Sequence, residues 1–368
     1  MKKMGKHSMD EDIPKALRKN KKTNGGKKKG KGLKVFGVTV LVLVVILAAI
    51  VGAIFWYIND KLGKMQQVDI NQDELGISKE VSQNLSGYRN IAIFGVDSRS
   101  DNLEQGNRSD CIIIVSINNS TKEVKLVSVY RDTFVQIEGH GLDKITHAYS
   151  YGSAPLALNT LNTNLDLNIQ EFVTVNFDSV AEAVDQLGGV TINIESQDEL
   201  KYLNSYIDET ARVTGKSAQK VASTGKQTLN GVQAVAYSRI RYTSGGDYKR
   251  TERMRTVIEA MVQKLKTKSI GEINSFLDVV LPKVYTNIRS SDIFALLPSL
   301  ASFKITESIG WPYETKGITL DRWYGVPVTL ESNVKKLHED MFGDSSYTPS
   351  DTVKQISNQI VTKTGYSE

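Results

Sequence analysis

NIAIFGVDSRSDNLEQGNRSDCIIIVSINNSTKEVKLVSVYRD, residues 90–132, contains three near-continuous apolar runs rich in Val and Ile: NIAIFGV, CIIIVSI and VKLVSVY. Runs of this kind are expected for strands covered on both faces, as in a sheet sandwiched between helices. The polar NNSTKE at 118–123, between the second and third runs, reads as a hairpin loop. With the loop centred between Ser120 and Thr121, facing residues sum to 241 and Asp110 stands opposite Arg131. Arg108, Asp110, Arg131 and Asp132 then gather at one end of the sheet, and a one-residue slip would change the facing pairs. The first run also stops abruptly at charge, Asp97 and Arg99. Strand ends are where α/β sheets commonly bind ligands.

Further along, EFVTVNF (171–177) and GVTINI (189–194) read as strands. Between them DSVAEAVDQLGG reads as a helix, with Asp178 as its cap, apolar residues at Val180, Ala183, Val184 and Leu187, and a Gly stop. A longer helix is predicted over 249–266, where Met254, Val257, Ile258, Met261 and Leu265 follow i, i+3, i+4 spacing. Strands alternate with helices, so residues 90–343 are expected to form one α/β domain, its mixed central sheet flanked by helical layers. Residues 59–89 are polar and weakly periodic and suit a stalk or peripheral helix. Residues 344–368 are Ser- and Thr-rich and read as a loosely ordered tail. There is no internal repeat.

The net charge of +5 is misleading once the charges are located. Residues 1–34 hold thirteen Lys or Arg against three acids, leaving 33 basic and 38 acidic groups in the rest of the chain. VFGVTVLVLVVILAAIVGAIFWYI follows at 35–58, 24 residues without a charge. As a helix it is long enough to cross a hydrocarbon core of about 30 Å. A cleaved signal peptide is the rival reading, but its apolar region is usually shorter and no small-residue cleavage site follows. The lysines before the run and Trp56 and Tyr57 at its far end predict a single-pass type II anchor, with the tail cytoplasmic and everything beyond it outside. Cys111, the single cysteine, lies inside an apolar run and reads as packing; one cysteine excludes an intramolecular disulfide. The near-match GGKKKGKG to a nucleotide-binding loop has Gly32 where a Ser or Thr should reach the metal, and no strand before it, so it reads as a solvated basic run. His7, His140, His147 and His338 show no metal-ligand spacing, and no Gly-x-Ser-x-Gly elbow occurs.

YSRIRYTSGGDYKRTERMR, residues 237–255, concentrates Arg239, Arg241, Arg250, Arg253 and Arg255. In extended chain Arg239 and Arg241 share a face, and Arg250 and Arg253, three apart at a helix start, share another. Arginine at a helix N-terminus opposes the macrodipole and puts positive charge where the helix end already favours anions. This pattern suits a phosphate or pyrophosphate site, with Asp97, Asp110 and Asp247 as hard oxygen ligands of the kind Mg2+ uses beside substrate phosphates. Ordinary surface ion pairs are the competing reading.

Seven segments in order, NIAIFGVDSR, RSDCIIIVSIN, KLVSVYRDT, DKITHAYSYG, DSVAEAVDQLGGVTINI, LNGVQAVAYSRIRY and GDYKRTERMR, resemble the LytR-CpsA-Psr family of membrane-anchored cell-wall phosphotransferases. The resemblance implies transfer of a glycopolymer, such as a teichoic acid or capsule, from a polyprenyl-pyrophosphate carrier to peptidoglycan through a phosphodiester. It implies Asp97 and Asp110 as ligands of Mg2+, or of Mn2+ in its place, and Arg108, Arg131, Arg239, Arg241 and Arg250 as pyrophosphate contacts, with Arg253 in the closing motif. Arg131, Asp132 and Asp247 are the catalytic candidates. The general base stays open among Asp97, Asp110 and Asp132, with Asp247 orienting the arginines or assisting a base. Partners are then the lipid-linked glycan, the peptidoglycan acceptor and membrane lipid, with the lipid held in an apolar tunnel between sheet and helices; no nucleic acid is expected. The family usually has Gln where this chain has Met254, which cannot donate to a phosphate and reads as core. A non-catalytic binder of lipid or wall polymer is the alternative, and the metal-ligand carboxylates argue against it. A regulator acting through the tail on nucleic acid is another; a short tail without apolar periodicity allows only weak, salt-sensitive binding.

Overall fold

A computed structural model of the chain describes residues 66–98, 102–104 and 106–367. The basic tail, the apolar run at 35–58 and Arg99 lie outside the described residues. Among the described residues no helix is long and apolar enough to cross a membrane.

After β1 (Gln66–Gln67) and α1 (Lys79–Asn84), the three apolar runs become an antiparallel meander of β2 (Tyr88–Val96), β3 (Ser109–Asn118) and β4 (Glu123–Val129). Ile113 pairs with Ser128 and Val115 with Leu126, so facing residues do sum to 241. The loop closes because the Asn118 carboxamide oxygen accepts from the Ser120 and Thr121 N–H groups at 2.9 and 3.0 Å, an Asx turn.

A separate hairpin, β5 (Phe134–Ile137) and β6 (Gly141–Lys144), leads into α2 (Ile145–Leu165), whose helical geometry breaks at Gly152 and Ser153 just before Pro155. β7 (Glu171–Val175) returns parallel to β2. α3 (Phe177–Gln186) follows, capped by Asn176 rather than Asp178: the Asn176 side chain accepts from the Ser179 N–H, and the Ser179 hydroxyl accepts from the Asn176 N–H.

GVTINI forms β8 (Val190–Ile194), but it pairs with β9 (Gly225–Leu229) in a small ladder outside the main sheet. α4 (Gln197–Thr214) lies between them, and α5 (Gly231–Ser238) and α6 (Gly246–Leu265) follow. After α7 (Ile270–Val280) come β10 (Tyr285–Thr286), α8 (Ser290–Leu296) and β11 (Lys304–Trp311). The main sheet runs β1-β10-β7-β2-β3-β4-β11 and is mixed, with β11 parallel to β4 and β10 antiparallel to β7. A hairpin of β12 (Thr315–Thr319) and β13 (Trp323–Pro327) then precedes α9 (Leu330–Phe342) and α10 (Asp351–Thr364).

One sheet face carries the main core, where Phe94 and Phe172 pack with Tyr149 and Leu161 of α2 and with residues of α9 and α10. The opposite face looks toward α3, α6 and α7. Two segments are more ordered than their composition suggested. In the presumed stalk, Leu75, Val81 and Leu85 are buried in the core. In the presumed tail, α10 buries Val353, Ile356 and Ile360. The Asp166 carboxylate anchors that tail, accepting from the Ser350 hydroxyl at 2.7 Å and from the Tyr347 hydroxyl at 2.5 Å.

Candidate active site

Asp110 and Arg131 close the free ends of β3 and β4, and the hairpin register brings them face to face, with Arg131 Nη1 donating to Asp110 Oδ1 at 2.5 Å. Asp132, the next residue, is 3.8 Å from Arg131 Nε and accepts from Lys144 Nζ at 2.6 Å, at the end of β6. Gly245 and Gly246, with φ of 90° and 50°, make the left-handed turn that starts α6. That turn delivers Asp247 and, one turn on, Arg250, whose Nη2 donates to Asp247 Oδ2 at 3.0 Å. Arg241 joins the two halves, 3.4 Å from Asp247 Oδ1 and 3.8 Å from Asp110 Oδ2. The result is a chain of alternating charge, Lys144, Asp132, Arg131, Asp110, Arg241, Asp247 and Arg250, with four cations against three carboxylates.

Burial pushes the Asp247 carboxyl above its ordinary value; Asp132 and Asp110 add to this, while Arg241 and Arg131 oppose it. The Nε–H groups of Arg131 and Arg250 are buried without an acceptor. Excess positive charge and unanswered donors make an arrangement that an anion would complete. Asp97 is exposed and follows Val96, the partner of Ser109, so it stands just past the end of β2, on the strand next to that of Asp110. Two carboxylates on adjacent strand ends fit the chemistry of Mg2+, which takes one or two carboxylates together with phosphate oxygens and water. Among the described residues no three His, Cys, Asp or Glu side chains converge, so phosphate oxygens and water would supply the remaining ligands.

Not every predicted arginine joins this chain. Arg239 is not in extended backbone; it caps the C-terminus of α5 with helical φ and ψ. It pairs with Glu209 at 2.8 Å and lies over the rings of Phe177 and Tyr206, beside the site rather than in the chain. Arg253 is as buried as Arg250 but has other partners: its guanidinium binds Glu199, the Ile240 carbonyl and the Thr243 hydroxyl. In this structure Arg253, expected at the pyrophosphate, instead forms a buried pair with Glu199. Arg255 is also buried and donates from Nε to Ser308. Arg108 is exposed on the approach to β3. Lys144, read only as part of DKITHAYSYG, proves to hold Asp132, and its signal was its place beside the strand-end charges.

Behind Asp110 lies an apolar cavity of about 310 Å3 between the sheet and α3, α5, α6 and α7. Ile93, Gly95 and Val173 supply its floor, and the predicted apolar stripe of α6, from Met254 to Leu265, supplies a wall. Met254 thus faces a cavity rather than packed core. Cys111 also lines it, and its apolar surroundings push the thiol up to about 12, leaving it protonated and inert.

A mixed sheet carrying an apolar cavity that ends at an arginine–aspartate chain defines a protein suited to an anionic amphiphile. The chain belongs to the LytR_cpsA_psr family, whose model matches residues 53–337. It is 31% identical over 269 residues to the polyisoprenyl-teichoic acid–peptidoglycan teichoic acid transferase TagU of Enterococcus faecalis, covering 72% of this chain and 82% of that protein. It is 30% identical over 286 residues to the corresponding transferase TagT of Bacillus subtilis, covering 76% and 85%. A solved structure of TagT bound to LIIa-WTA matches with TM-score 0.55 and 27% identity, over 69% of this chain and 91% of that one.

Proposed function

We propose that this chain is a phosphotransferase that moves a glycopolymer from a polyprenyl-pyrophosphate carrier to peptidoglycan through a phosphodiester. The observation that carries this reading is the junction at Asp110, where the apolar cavity meets the arginine–aspartate chain. A hydrocarbon tail and a multiply charged head are accommodated side by side, and few ligands other than a lipid pyrophosphate need both. The family relatives, named as teichoic acid transferases, support the same reading. The apolar run at 35–58 would anchor the chain with this domain outside the membrane, where the acceptor lies.

In this reading Arg131, Arg241 and Arg250 grip the pyrophosphate and stabilise charge on the transferred and leaving oxygens, with exposed Arg108 reaching in from the approach to β3. Arg239, stacked on Phe177 where that ring lines the cavity, stands at the lipid side. Asp97 and Asp110 would hold Mg2+ or Mn2+, which when bound supplies Lewis-acid stabilisation of the phosphoryl oxygens. Asp132, fixed by Lys144, positions Arg131. Asp247 is the base: its carboxyl, raised by burial, accepts the proton of the attacking hydroxyl at its Oδ atoms.

The test uses the full chain in detergent with a synthetic polyprenyl-pyrophosphate glycan, peptidoglycan fragments and Mg2+, following glycan transfer by mass. Metal-dependent transfer that is lost in Asp97→Ala and Asp110→Ala is the expected result. Tight lipid binding without transfer under any divalent metal would make the chain a binding module and overturn the proposal.

A further inference from the structure

Separate from the apolar cavity and sharing no lining residue with it, a second, smaller cavity is lined by Arg131, Asp132 and Asp247, with Tyr248 and Trp323 on its walls. Through Tyr130, Tyr248 and Thr315, which line both, it adjoins a wider groove of about 590 Å3 formed along residues 312–316, where the chain enters β12. Two large aromatic rings lie open at this junction: Trp323 is 48% exposed and Tyr248 44%. Exposed aromatic rings of this size beside a catalytic cluster mark a binding surface rather than core.

The hairpin is shaped to hold the indole flat. Gly317 and Gly325 face each other across β12 and β13, and Trp323 lies over both. A Cβ on Gly317 would meet the indole nitrogen at 2.9 Å, and a Cβ on Gly325 would meet the ring at 3.6 Å. The ring thus rests against two glycines, and about half of the residue's surface stays open to solvent. Tyr248 is held just as firmly, edge-on to Tyr130 with centroids 4.4 Å apart and its hydroxyl 2.8 Å from the Thr315 hydroxyl. Pre-set rings of this kind lose little entropy on binding, and their faces suit the C–H faces of pyranose sugars.

Resting on the transferase reading, we propose that this aromatic ledge is the acceptor subsite, which takes the glycan strand of peptidoglycan and presents its hydroxyl to Asp247. The geometry of displacement at phosphorus points the same way. The attacking and leaving oxygens lie roughly in line on opposite sides of the transferred phosphoryl group. The leaving polyprenyl phosphate belongs to the apolar cavity beside Asp110, so the attacking hydroxyl enters from elsewhere, and the ledge lies outside that cavity. There the sugar oxygen forms its bond to the glycan-bearing phosphorus as the bridging P–O bond breaks. The bond's electron pair leaves on polyprenyl phosphate, and the hydroxyl proton passes to Asp247. A ledge of neutral rings favours sugar rings over the charged stem peptides.

The experiment compares the full chain with Trp323→Ala, Tyr248→Ala and Trp323→Phe in two assays. One is steady-state transfer with donor and acceptor varied separately. The other is calorimetric titration with glycan strands stripped of stem peptides, which requires no turnover. Thermal melts confirm that each variant is folded. We expect about a tenfold rise in acceptor KM and in strand Kd for both alanine variants, an unchanged donor KM, and recovery of most of the loss in Trp323→Phe. Transfer that proceeds with unchanged acceptor KM and Kd would overturn the subsite and leave the transferase standing. A shift in donor KM alone would also overturn it and give the ledge to the donor glycan. If the parent chain transfers nothing, the transferase reading fails, and the titration decides separately: strand binding weakened by Trp323→Ala keeps the ledge, and no strand binding removes it.

Discussion

Arg131 and Asp110 meet across the open ends of β3 and β4 at 2.5 Å, and Asp110 is also a wall residue of the apolar cavity. That one ion pair therefore separates a hydrocarbon compartment from a polar one. A substrate with a lipid tail and a pyrophosphate head would straddle it, which is why charge substitutions here should divide cleanly into chemical and structural effects.

Arg241 belongs to the chemical group. Its side chain is 44% exposed, and its two carboxylate partners are at 3.4 and 3.8 Å, too loose to contribute much to folding. Arg241→Ala is expected to lower kcat by about 10²–10³, the usual loss of one preorganised charge donor, with the thermal midpoint unchanged. A large drop in that midpoint would make Arg241 a structural residue.

Arg253 belongs to the structural group despite lying in the same stretch. Its guanidinium and the Glu199 carboxylate, 2.7 Å apart, are 3% and 2% exposed. Removing one partner leaves the other charge buried and alone, so Arg253→Ala is expected to cost about 3–5 kcal/mol of stability in urea unfolding. Transfer by the fraction that remains folded should match the parent chain.

The contrast between these arginines marks the limit of what is legible in residues 237–255. The β3–β4 register followed from NNSTKE, because a short loop and period-two side chains leave few alternatives, and it placed Asp110 on Arg131 correctly. Arg239 and Arg253 stand outside the charged chain for reasons that spacing alone does not carry. Residue 239 ends a helix rather than lying in a strand, and the Arg253 face of α6 turns toward Glu199 of α4, a contact distant in sequence. The cavity was hidden for a related reason. An apolar strand face such as Ile91, Ile93 and Gly95 reads the same whether it meets packed core or an open apolar space. Trp323 had no local signal at all, since its role depends on two glycines and on an Asp247 far away in sequence. In the last 25 residues, Ser/Thr composition obscured a complete helix signature, the Ser350 cap and Gly365 with φ 76°.

That terminal helix should be essential to stability. Truncation after Asp344 removes the buried Val353, Ile356 and Ile360 and leaves Asp166 without Tyr347 and Ser350. At about 1.5–3 kcal/mol for each large apolar side chain, the truncated chain is expected to be largely unfolded at room temperature by circular dichroism. A cooperative melt close to the parent's would show that α10 is dispensable.

Asp247 links pH to both rate and stability. As the proposed base it must be ionised, so kcat/KM should fall as pH drops through its folded pKa, which lies above the ordinary 3.8. For an acid with a raised folded pKa, the native state holds the proton longer than the unfolded state. The slope of stability against pH from this group is therefore negative between the two values, and stability falls as pH rises through that window. Asp247→Asn should abolish the acid limb of the rate profile along with most of the rate, and its stability should fall less than the parent's as pH rises from the ordinary carboxylate value through the raised folded one. An acid limb that persists unshifted in the variant would assign the base elsewhere.

The apolar cavity can be tested without touching a charge. Ile258 lines it from α6, at a distance from the arginine–aspartate chain set by two helical turns. Ile258→Trp adds a ring to existing space, so the cost of overpacking is offset by the cavity surface it fills, and the thermal midpoint is expected to stay level or rise. The same ring occupies the room a polyprenyl chain needs. Donor KM should then rise by about tenfold or more, while binding of short water-soluble pyrophosphates and of glycan strands stays as in the parent. If donor KM is unmoved in a variant that melts normally, the hydrocarbon chain lies elsewhere, and the cavity beside Asp110 has no part in holding the carrier.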